Sequence, residues 1–204
     1  MSLVLKQARV REESRAYSPL IATPKKIEYQ KPKLNLGCGT KSIPGYINID
    51  KSALEGVDLK WDLEKTPLPF EDNSVSEVTC EHILEHIVNF MPLIEDIHRI
   101  CEPNARIEVL APYYKYEAAY RDPTHVRFFT EHSFDYFQDG VEFSHYSKAR
   151  FKVENVEKRV RFLSSVKNKR KKIMGATPNF LRPFLDHFFW NVYSELKFEL
   201  TVIK

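Results

Sequence analysis

Glycines and a carboxylate stand at the ends of two predicted strands early in the chain, where they could hold a nucleoside. Residues 33–40 (Lys-Leu-Asn-Leu-Gly-Cys-Gly-Thr) are typical of a short buried strand that stops in a glycine turn. Gly37 and Gly39 let the backbone turn sharply and approach a ligand with no Cβ in the way. Asp50 ends the next predicted strand, 47–50, and its carboxylate can accept hydrogen bonds from vicinal ribose hydroxyls. The combination predicts a site for a nucleoside-containing cofactor.

Two other interpretations of this glycine turn are a dinucleotide site and a turn without a ligand. A dinucleotide fingerprint, G-x-G-x-x-G, needs a third glycine, but Lys41 and Ser42 follow Thr40. A pyrophosphate-binding turn is therefore disfavoured. An ordinary strand and turn without a ligand is the alternative, because a lone G-x-G is a weak signal. The acid at Asp50 favours the cofactor site.

Composition limits the class of protein. The chain has 204 residues, 43% of them hydrophobic, which suits one large domain with a sizeable core. Its net charge of +3 gives no reason to expect a general polyanion binder. We expect no membrane span and no signal peptide, because neither a long apolar run nor a leader pattern is present. The isolated cysteines Cys38, Cys80 and Cys101 form no disulfide framework or metal motif, which favours the cytoplasm.

The chain is predicted to consist of an N-terminal arm, residues 1–32, and a main domain, residues 33–204. From Lys33 strands and helices alternate, which indicates a parallel sheet with ligands at the strand C-termini. Only Thr40–Tyr46 separate the glycine turn from the second strand, so the first crossover helix is predicted to be one turn or absent. The arm could cover the sheet face that this leaves open. Predicted strands are 33–36, 47–50, 57–61, 75–80, 106–111, 150–163 (with one irregularity) and 195–204; predicted helices are 92–101 and about 179–191; 103–104 is a predicted turn.

The glycine turn resembles the first motif of class I S-adenosylmethionine-dependent methyltransferases, close to the form Leu-Asp-Leu-Gly-Cys-Gly-Thr-Gly. Residues 81–86 (Glu-His-Ile-Leu-Glu-His) resemble the Leu-Glu-His-Ile segment common in small-molecule, type 11-like members. The resemblance covers residues 33–130 well and the last fifty loosely. It implies a Rossmann-like, seven-stranded, mostly parallel sheet with an antiparallel last strand. It also implies S-adenosyl-L-methionine as cofactor.

The resemblance further implies which residues hold the cofactor. Gly37, Cys38 and Gly39 would lie against its methionine part. Asp50 would bind the ribose hydroxyls, with Lys51 beside it. The implied cofactor-binding set is Asn35, Gly37, Cys38, Gly39, Asp50, Lys51, Asp62, Leu63 and Glu81.

The resemblance also implies roles for Asp62 with Leu63, for Glu81 and for Asn35. Asp62, with Leu63, matches the acid-containing turn that contacts the adenine amino group. Glu81 follows the fourth strand and faces the methionine and methyl end. Asn35 stands where the family usually has an acid, so it could bond the cofactor's ammonium or orient the loop, without the charge.

Two histidines in residues 81–86 raise the question of a metal. His82 and His86 are four apart, so a helix would place them on one face, and this spacing also suits a metal ion. No third ligand follows at a clear spacing, and we expect no metal. His86 is interpreted as a packed or hydrogen-bonded structural histidine. His82 has the better claim to face the site and is a candidate catalytic residue.

An aromatic-rich segment, residues 113–137, is predicted to lie on the acceptor side. Aromatic residues with a few polar groups describe a ligand pocket, but they equally describe a packed lid. His125 is the candidate general base, because imidazole suits proton transfer near neutral pH. Asp122 could orient it. Thr130 is predicted to cap a helix that begins at Glu131.

The sequence thus predicts methyl transfer to oxygen or nitrogen of a small molecule or saccharide precursor. RNA methylation is the enzyme alternative, ranked lower because no matching catalytic motif or appended RNA-binding domain is visible. A degenerate fold serving as a binding subunit is the non-enzyme alternative. The basic run 167–172 is interpreted as a solvated loop rather than a site for an anionic partner such as RNA. Nucleic acid is therefore an unlikely partner, and the sequence leaves the oligomeric state open.

Overall fold

A computed structural model describes residues 31–160 and 179–204 of the chain. The predicted arm, apart from Lys31 and Pro32, and the basic run 167–172 lie outside the described residues. Within them, no helix is long and apolar enough to cross a membrane.

The described residues form one seven-stranded sheet with the strand order β3-β2-β1-β4-β5-β7-β6. Strands β1 to β5 pair in parallel, and β7 pairs antiparallel with both β5 and β6. The Rossmann-like, mostly parallel sheet with an antiparallel last strand is therefore confirmed. The strands are β1 Lys33–Leu36, β2 Ile47–Asp50, β3 Leu59–Lys60, β4 Val75–Glu81, β5 Cys101–Pro112, β6 Phe151–Arg159 and β7 Glu195–Val202.

Helices in the described residues are few and mostly short. They are α1 Phe90–Ile100, α2 Ala118–Arg121 and α3 Arg182–Phe188, with single 3-10 turns at Leu84–His86, Asp135–Phe137, Ser144–Tyr146 and Asn179–Leu181. The longest, α1, buries an apolar stripe against the sheet: Leu93, Ile94, Ile97 and Ile100 are each at most 3% exposed. It begins two residues before Pro92, which is harmless, because the first turn of a helix needs no backbone donor there.

A carboxylate from a distant loop caps α1. The N-cap residue Asn89 makes no side-chain capping bond. Instead Glu64 accepts hydrogen bonds from the backbone amides of Val88 (2.8 Å) and Asn89 (2.9 Å). These bonds satisfy free amides at the helix start. They also join the loop after β3 to the loop before α1.

The first crossover contains turns but no helix, as its length predicted. Three local predictions differ from the structure. Strand β3 is only two residues long. Residues 103–104 lie inside β5 rather than in a turn, but the register between β4 and β5 slips from Val75↔Cys101 to Glu77↔Arg106, so the extra residues bulge there. No helix begins at Glu131: the Thr130 hydroxyl accepts from the His132 amide at 3.2 Å as a helix cap would, but the residues that follow form turns and the 3-10 turn Asp135–Phe137. The predicted irregularity in β6 is a register shift at Val153/Asn155.

Candidate functional site

The glycine turn after β1 has room for no side chain at its first glycine. Gly37 has a φ of +67°, and a Cβ built on it would lie 2.3 Å from Cγ1 of Ile83. Ile83 follows β4, so the turn is packed directly against the end of the neighbouring strand. Gly39 has a φ of +52°, but a Cβ there would meet nothing within 4 Å. The turn is therefore tight on its protein side and open at Gly39.

Asp50 fastens this turn to the end of β2. Its Oδ2 accepts a hydrogen bond from the Gly39 amide at 2.9 Å, and its Oδ1 accepts one from the Ser52 amide at 2.8 Å. Each carboxylate oxygen has two acceptor positions, so both retain capacity for another donor. Sequence and structure agree that the turn and the acid form one unit.

Asn35 belongs to a buried amide network beneath the turn. It is 3% exposed, and its Nδ2 donates to the Lys41 carbonyl and to Oδ1 of Asn48, both at 2.9 Å. Asn48 is its partner across β1 and β2, and it also accepts from the Ile43 amide at 2.7 Å and donates to Asp58 at 2.8 Å. The network fixes the helix-free crossover. The Asn35 amide is thus directed to the crossover loop and orients it.

The other implied cofactor residues lie along the same edge of the sheet. Lys41 forms an ion pair with Glu81 at the end of β4, while Lys51 is exposed just after β2. Asp62 closes the turn after β3 by accepting from the amides of Glu64 (3.2 Å, at Oδ1) and Lys65 (2.9 Å, at its carbonyl). The buried side chain of Leu63 anchors that turn.

The cysteines are buried, free thiols. Burial raises the pKa of Cys38, and the nearby charge of Asp50 raises it further. Burial also raises the pKa of Cys80, and that of Cys101 to about 12. Thiols held in the protonated form are poor nucleophiles and poor metal ligands. Cys38 therefore contributes its backbone to the turn, through an amide that donates to the Ile49 carbonyl at 3.0 Å.

A cleft of about 510 Å³ opens at the C-terminal ends of β4 and β5. Three separate parts of the chain line it: the segment after β4, the segment after β5 and the start of β7. The lining residues are His82, Glu85, His86, Pro112, Tyr116, Ala118, Arg121, Asp122, Pro123, His125, Ser194 and Glu195. The structure thus brings both candidate catalytic histidines, His82 and His125, to one cleft.

His82 is held between two buried carboxylates. Its Nδ1 lies 3.3 Å from Oε1 of Glu85, and its Nε2 lies 3.3 Å from Oε1 of Glu195. The second contact is an ion pair without hydrogen-bond alignment. Burial alone would lower the pKa of His82, but Glu195 and Glu85 outweigh it and raise the pKa to about 9. His82 is therefore a cation near neutral pH, which suits charge stabilisation better than proton acceptance.

His125 and His86 pack edge to face, with ring centroids 4.7 Å apart. Nδ1 of His125 lies 2.8 Å from the Ala119 carbonyl, which can only accept, so Nδ1 carries the proton and Nε2 is left for a ligand. Asp122 does not orient this ring, contrary to the prediction. Its Oδ1 instead accepts from the Thr124 hydroxyl at 2.7 Å.

Four of the nine aromatic residues of the segment 113–137 are buried in the core rather than in a pocket. Tyr113, Phe129, Phe134 and Phe137 are each at most 2% exposed. The three phenylalanines surround the ring of Phe90 at the start of α1, and Phe129 and Phe134 reach Phe198 of β7. The packed-lid interpretation therefore holds for these residues. Polar residues between Tyr116 and His125 line the cleft instead.

Sequence reasoning missed several residues that build the site. Asn48 and Glu64 carried no motif, although each organises a loop at the cofactor edge. Glu85 and Glu195 were passed over because nothing in the sequence shows that residues so far apart meet at one histidine. Glu85 lies within residues 81–86, but its burial could not be predicted from the sequence.

Comparisons with known proteins agree with this geometry. Residues 39–109 match a family model described as a methyltransferase domain. That stretch runs from the glycine turn to β5 and includes Asp50, Asp62 and the histidines after β4. Comparison with curated proteins gives no match.

Solved structures share the fold at low sequence identity. A methyltransferase from Archaeoglobus fulgidus described as SAM dependent is 15% identical, with a TM-score of 0.55 over 84% of this chain and 86% of its own. The YcgJ protein of Bacillus subtilis is 15% identical, with a TM-score of 0.53 over 85% and 92%. The [4+2]-cyclase SpnF is also 15% identical, with a TM-score of 0.51 over 85% and 74%. Since a cyclase shares it, the fold alone does not decide the reaction.

Proposed function

We propose that this chain is a class I S-adenosylmethionine-dependent methyltransferase that transfers a methyl group to oxygen or nitrogen of a small molecule or saccharide precursor. The observation that carries the proposal is the Gly37–Gly39 turn, fastened to Asp50 beside an open polar cleft. In a parallel sheet, ligands bind at this C-terminal edge of the strands.

The residues present fit S-adenosylmethionine. The open face at Gly39 leaves space against the turn, and both Asp50 oxygens keep acceptor capacity for ribose hydroxyls. Gly37, Cys38 and Gly39 would hold the methionine part, with Asn35 steadying the crossover behind them. The turn with Asp62 and Leu63 would hold the adenine, Lys51 would stand beside the ribose, and Glu81 would face the methyl end. When bound, the cofactor supplies a methyl group on an electrophilic sulfonium.

The cleft favours a small acceptor over RNA. Its lining includes three carboxylates, Glu85, Asp122 and Glu195, against the two cations His82 and Arg121, so that one negative charge is left over. A phosphate backbone needs several cations along its path, and an acidic lining repels it. A small hydroxylated or amino-bearing molecule can instead donate hydrogen bonds to these carboxylates.

We propose that His125 acts on the acceptor through the lone pair of Nε2. The Ala119 carbonyl fixes the ring at 2.8 Å through the other nitrogen, so orientation is set before the acceptor arrives. Much of the rate in such a reaction comes from alignment, and a positioned proton acceptor adds about 10²–10⁴-fold. His82, a cation between two carboxylates, would balance charge beside the reacting atoms rather than accept a proton.

Methyl-labelled S-adenosylmethionine tests this proposal. The protein is incubated with pools of phenols, amines and sugar derivatives, and labelled products are sought. With the acceptor found, His125→Gln should lower kcat by roughly 10²–10⁴-fold with cofactor affinity unchanged. His132→Gln, an exposed histidine outside the cleft, is the control and should be fully active. A chain that binds the cofactor but methylates only RNA would contradict the acceptor class.

The buried free thiols fit a reducing compartment, and we propose a cytoplasmic location. Selective labelling of surface proteins on intact cells would test it, because a cytoplasmic chain should remain unlabelled until the cells are lysed.

A further inference from the structure

Three side chains in the cleft converge in a way that the methyl-transfer proposal does not use. One ligand atom each from Glu85, His86 and His125 lies within 4.8 Å of the other two. Glu85 and His86 come from the 3-10 turn after β4, and His125 comes from the segment after β5. The backbone amide of Val126 donates to the Glu85 carbonyl at 2.9 Å and ties the two segments together at this point.

Both imidazoles have one nitrogen engaged and the other free for a ligand. His125 is held through Nδ1 by the Ala119 carbonyl. His86 Nδ1 lies 2.9 Å from the Thr124 hydroxyl, which itself donates to Asp122 at 2.7 Å. Because that hydroxyl proton is directed to Asp122, the oxygen accepts from His86 Nδ1, and Nε2 is left free. Metal-binding histidines typically have this second hydrogen bond, which fixes the tautomer and the ring orientation.

Glu85 supplies an independent observation. Its side chain is 1% exposed, yet Oε2 has no hydrogen-bond partner. An unpaired buried carboxylate oxygen is costly, since it has lost water without gaining a donor. The other oxygen faces His82, so the carboxylate is held in place with one oxygen left over.

We propose that Glu85, His86 and His125 bind a divalent transition-metal ion. Two imidazole nitrogens and one carboxylate oxygen are a typical donor set for Zn²⁺ and for Fe²⁺, Mn²⁺ or Co²⁺. Metal–ligand bonds of about 2.0–2.2 Å require the three atoms to approach by roughly 1 Å. Rotation of the two partly exposed rings can supply this. Three protein ligands leave positions open to the cleft, as in catalytic rather than structural sites.

The open positions suggest what the ion does. An oxygen of the acceptor could occupy one of them, and a bound cation eases loss of its proton to solvent. The acceptor would then be a hydroxyl compound. Nε2 of His125 would bind the ion instead of taking the proton directly. This role rests on the proposed function, whereas binding of the ion does not.

Equilibrium dialysis of the full, tag-free chain against Zn²⁺ tests the site, after treatment with a chelator and with the ion counted by elemental analysis. We expect one ion per chain, and Co²⁺ in its place should give visible absorption bands. H86Q and H125Q should each bind at least about 10-fold more weakly. T124V removes only the hydroxyl behind His86 and should weaken binding by about 10–100-fold. H132Q retains all three ligands and should match wild type.

Two further readouts keep the result interpretable. Thermal melts without metal show whether a variant is folded, and cofactor affinity reports the neighbouring site separately. Loss of ion binding in folded H86Q and H125Q, with cofactor affinity retained, supports the metal site whether or not methyl transfer is found. Less than a tenth of an ion per chain in wild type, or equal binding in an H86Q/H125Q double variant, overturns it.

Discussion

The two sides of the site satisfy their polar groups in opposite ways. On the cofactor side, the side chains of Asn35, Asn48 and Asp50 all have hydrogen-bond partners within the protein, and both Asp50 oxygens keep room for one more donor. On the acceptor side, Oε2 of Glu85 has no partner, and the Nε2 atoms of His86 and His125 face the cleft. The first side is a finished support for a ligand that contacts its backbone. The second is completed only by what binds there.

The largest effect is expected at Gly37 on the cofactor side, where the protein leaves no space for a Cβ. Gly37→Ala should lower the free energy of unfolding by about 2–4 kcal/mol, because the new Cβ meets Ile83 in a left-handed backbone conformation. Gly39→Ala, with the same backbone strain and open space, should cost about 1–2 kcal/mol. Urea denaturation measures both.

Ile83→Gly supplies the matching control, because the Cβ of Ile83 would itself lie 2.6 Å from the new Cβ at position 37. In the Gly37→Ala background it should restore part of the lost stability, so that the two changes are not additive. Equal costs at Gly37 and Gly39, or strict additivity with Ile83→Gly, would show that the contact does not constrain the turn.

The amide network is the next test, because the methyltransferases that the glycine turn resembles usually have an acid at position 35. Asn35→Asp should destabilise the protein by about 1–3 kcal/mol and should not improve cofactor binding. The reason is that Nδ2 donates to two acceptors, the Lys41 carbonyl and Asn48 Oδ1, which a carboxylate would face without a proton. Asn35→Ala, which introduces no new acceptor, should be less harmful at neutral pH. If Asn35→Asp is as stable as wild type, Asn48 can reorient and the network is not specific.

The smallest effect is expected on the acceptor side, where Glu131 pairs with Lys158 of β6 at 2.8 Å. Burial alone would raise the pKa of Glu131, but hydrogen bonds from Lys158 and from its own amide outweigh it and hold the pKa below its ordinary value. Such a carboxylate adds stability above its unfolded pKa and loses it as the pH falls. Glu131→Gln should cost less than about 1 kcal/mol at pH 7.

Melting temperatures between pH 6 and pH 3 check this sign. The Glu131→Gln protein should lose less stability on acidification than wild type, and Glu55→Gln, an exposed position, should follow wild type. A Glu131→Gln protein that is more acid-sensitive than wild type would contradict the ion pair.

The contrast between the two sides also explains what the sequence could predict. The cofactor side is formed by one short segment of the chain, since a strand, a glycine turn and an acid follow one another between Lys33 and Asp50. The missing crossover helix was predictable from length alone. Asn48 was not, because the five hydrogen bonds of its side chain join β1, the crossover and Asp58, which meet only when the sheet has formed.

The acceptor side joins segments far apart in sequence. Glu85 and Glu195 meet at His82 only after β7 inserts beside β5. For the same reason the sequence paired His82 with His86 by spacing, whereas the structure turns His82 toward the carboxylates and places His86 next to His125. Residue 82 has a φ of +52° and lies outside any helix, so the helical spacing argument did not apply.

Calorimetry with S-adenosylmethionine and S-adenosylhomocysteine tests the central claim most directly. Wild type should bind both and should not bind NAD. Asp50→Ala should weaken binding by about 10–150-fold, which corresponds to the loss of one charge-assisted hydrogen bond of about 1.5–3 kcal/mol, while the exposed control Asp139→Asn should bind as wild type does. A wild-type chain that binds neither compound, or a folded Asp50→Ala protein with unchanged affinity, would contradict the account.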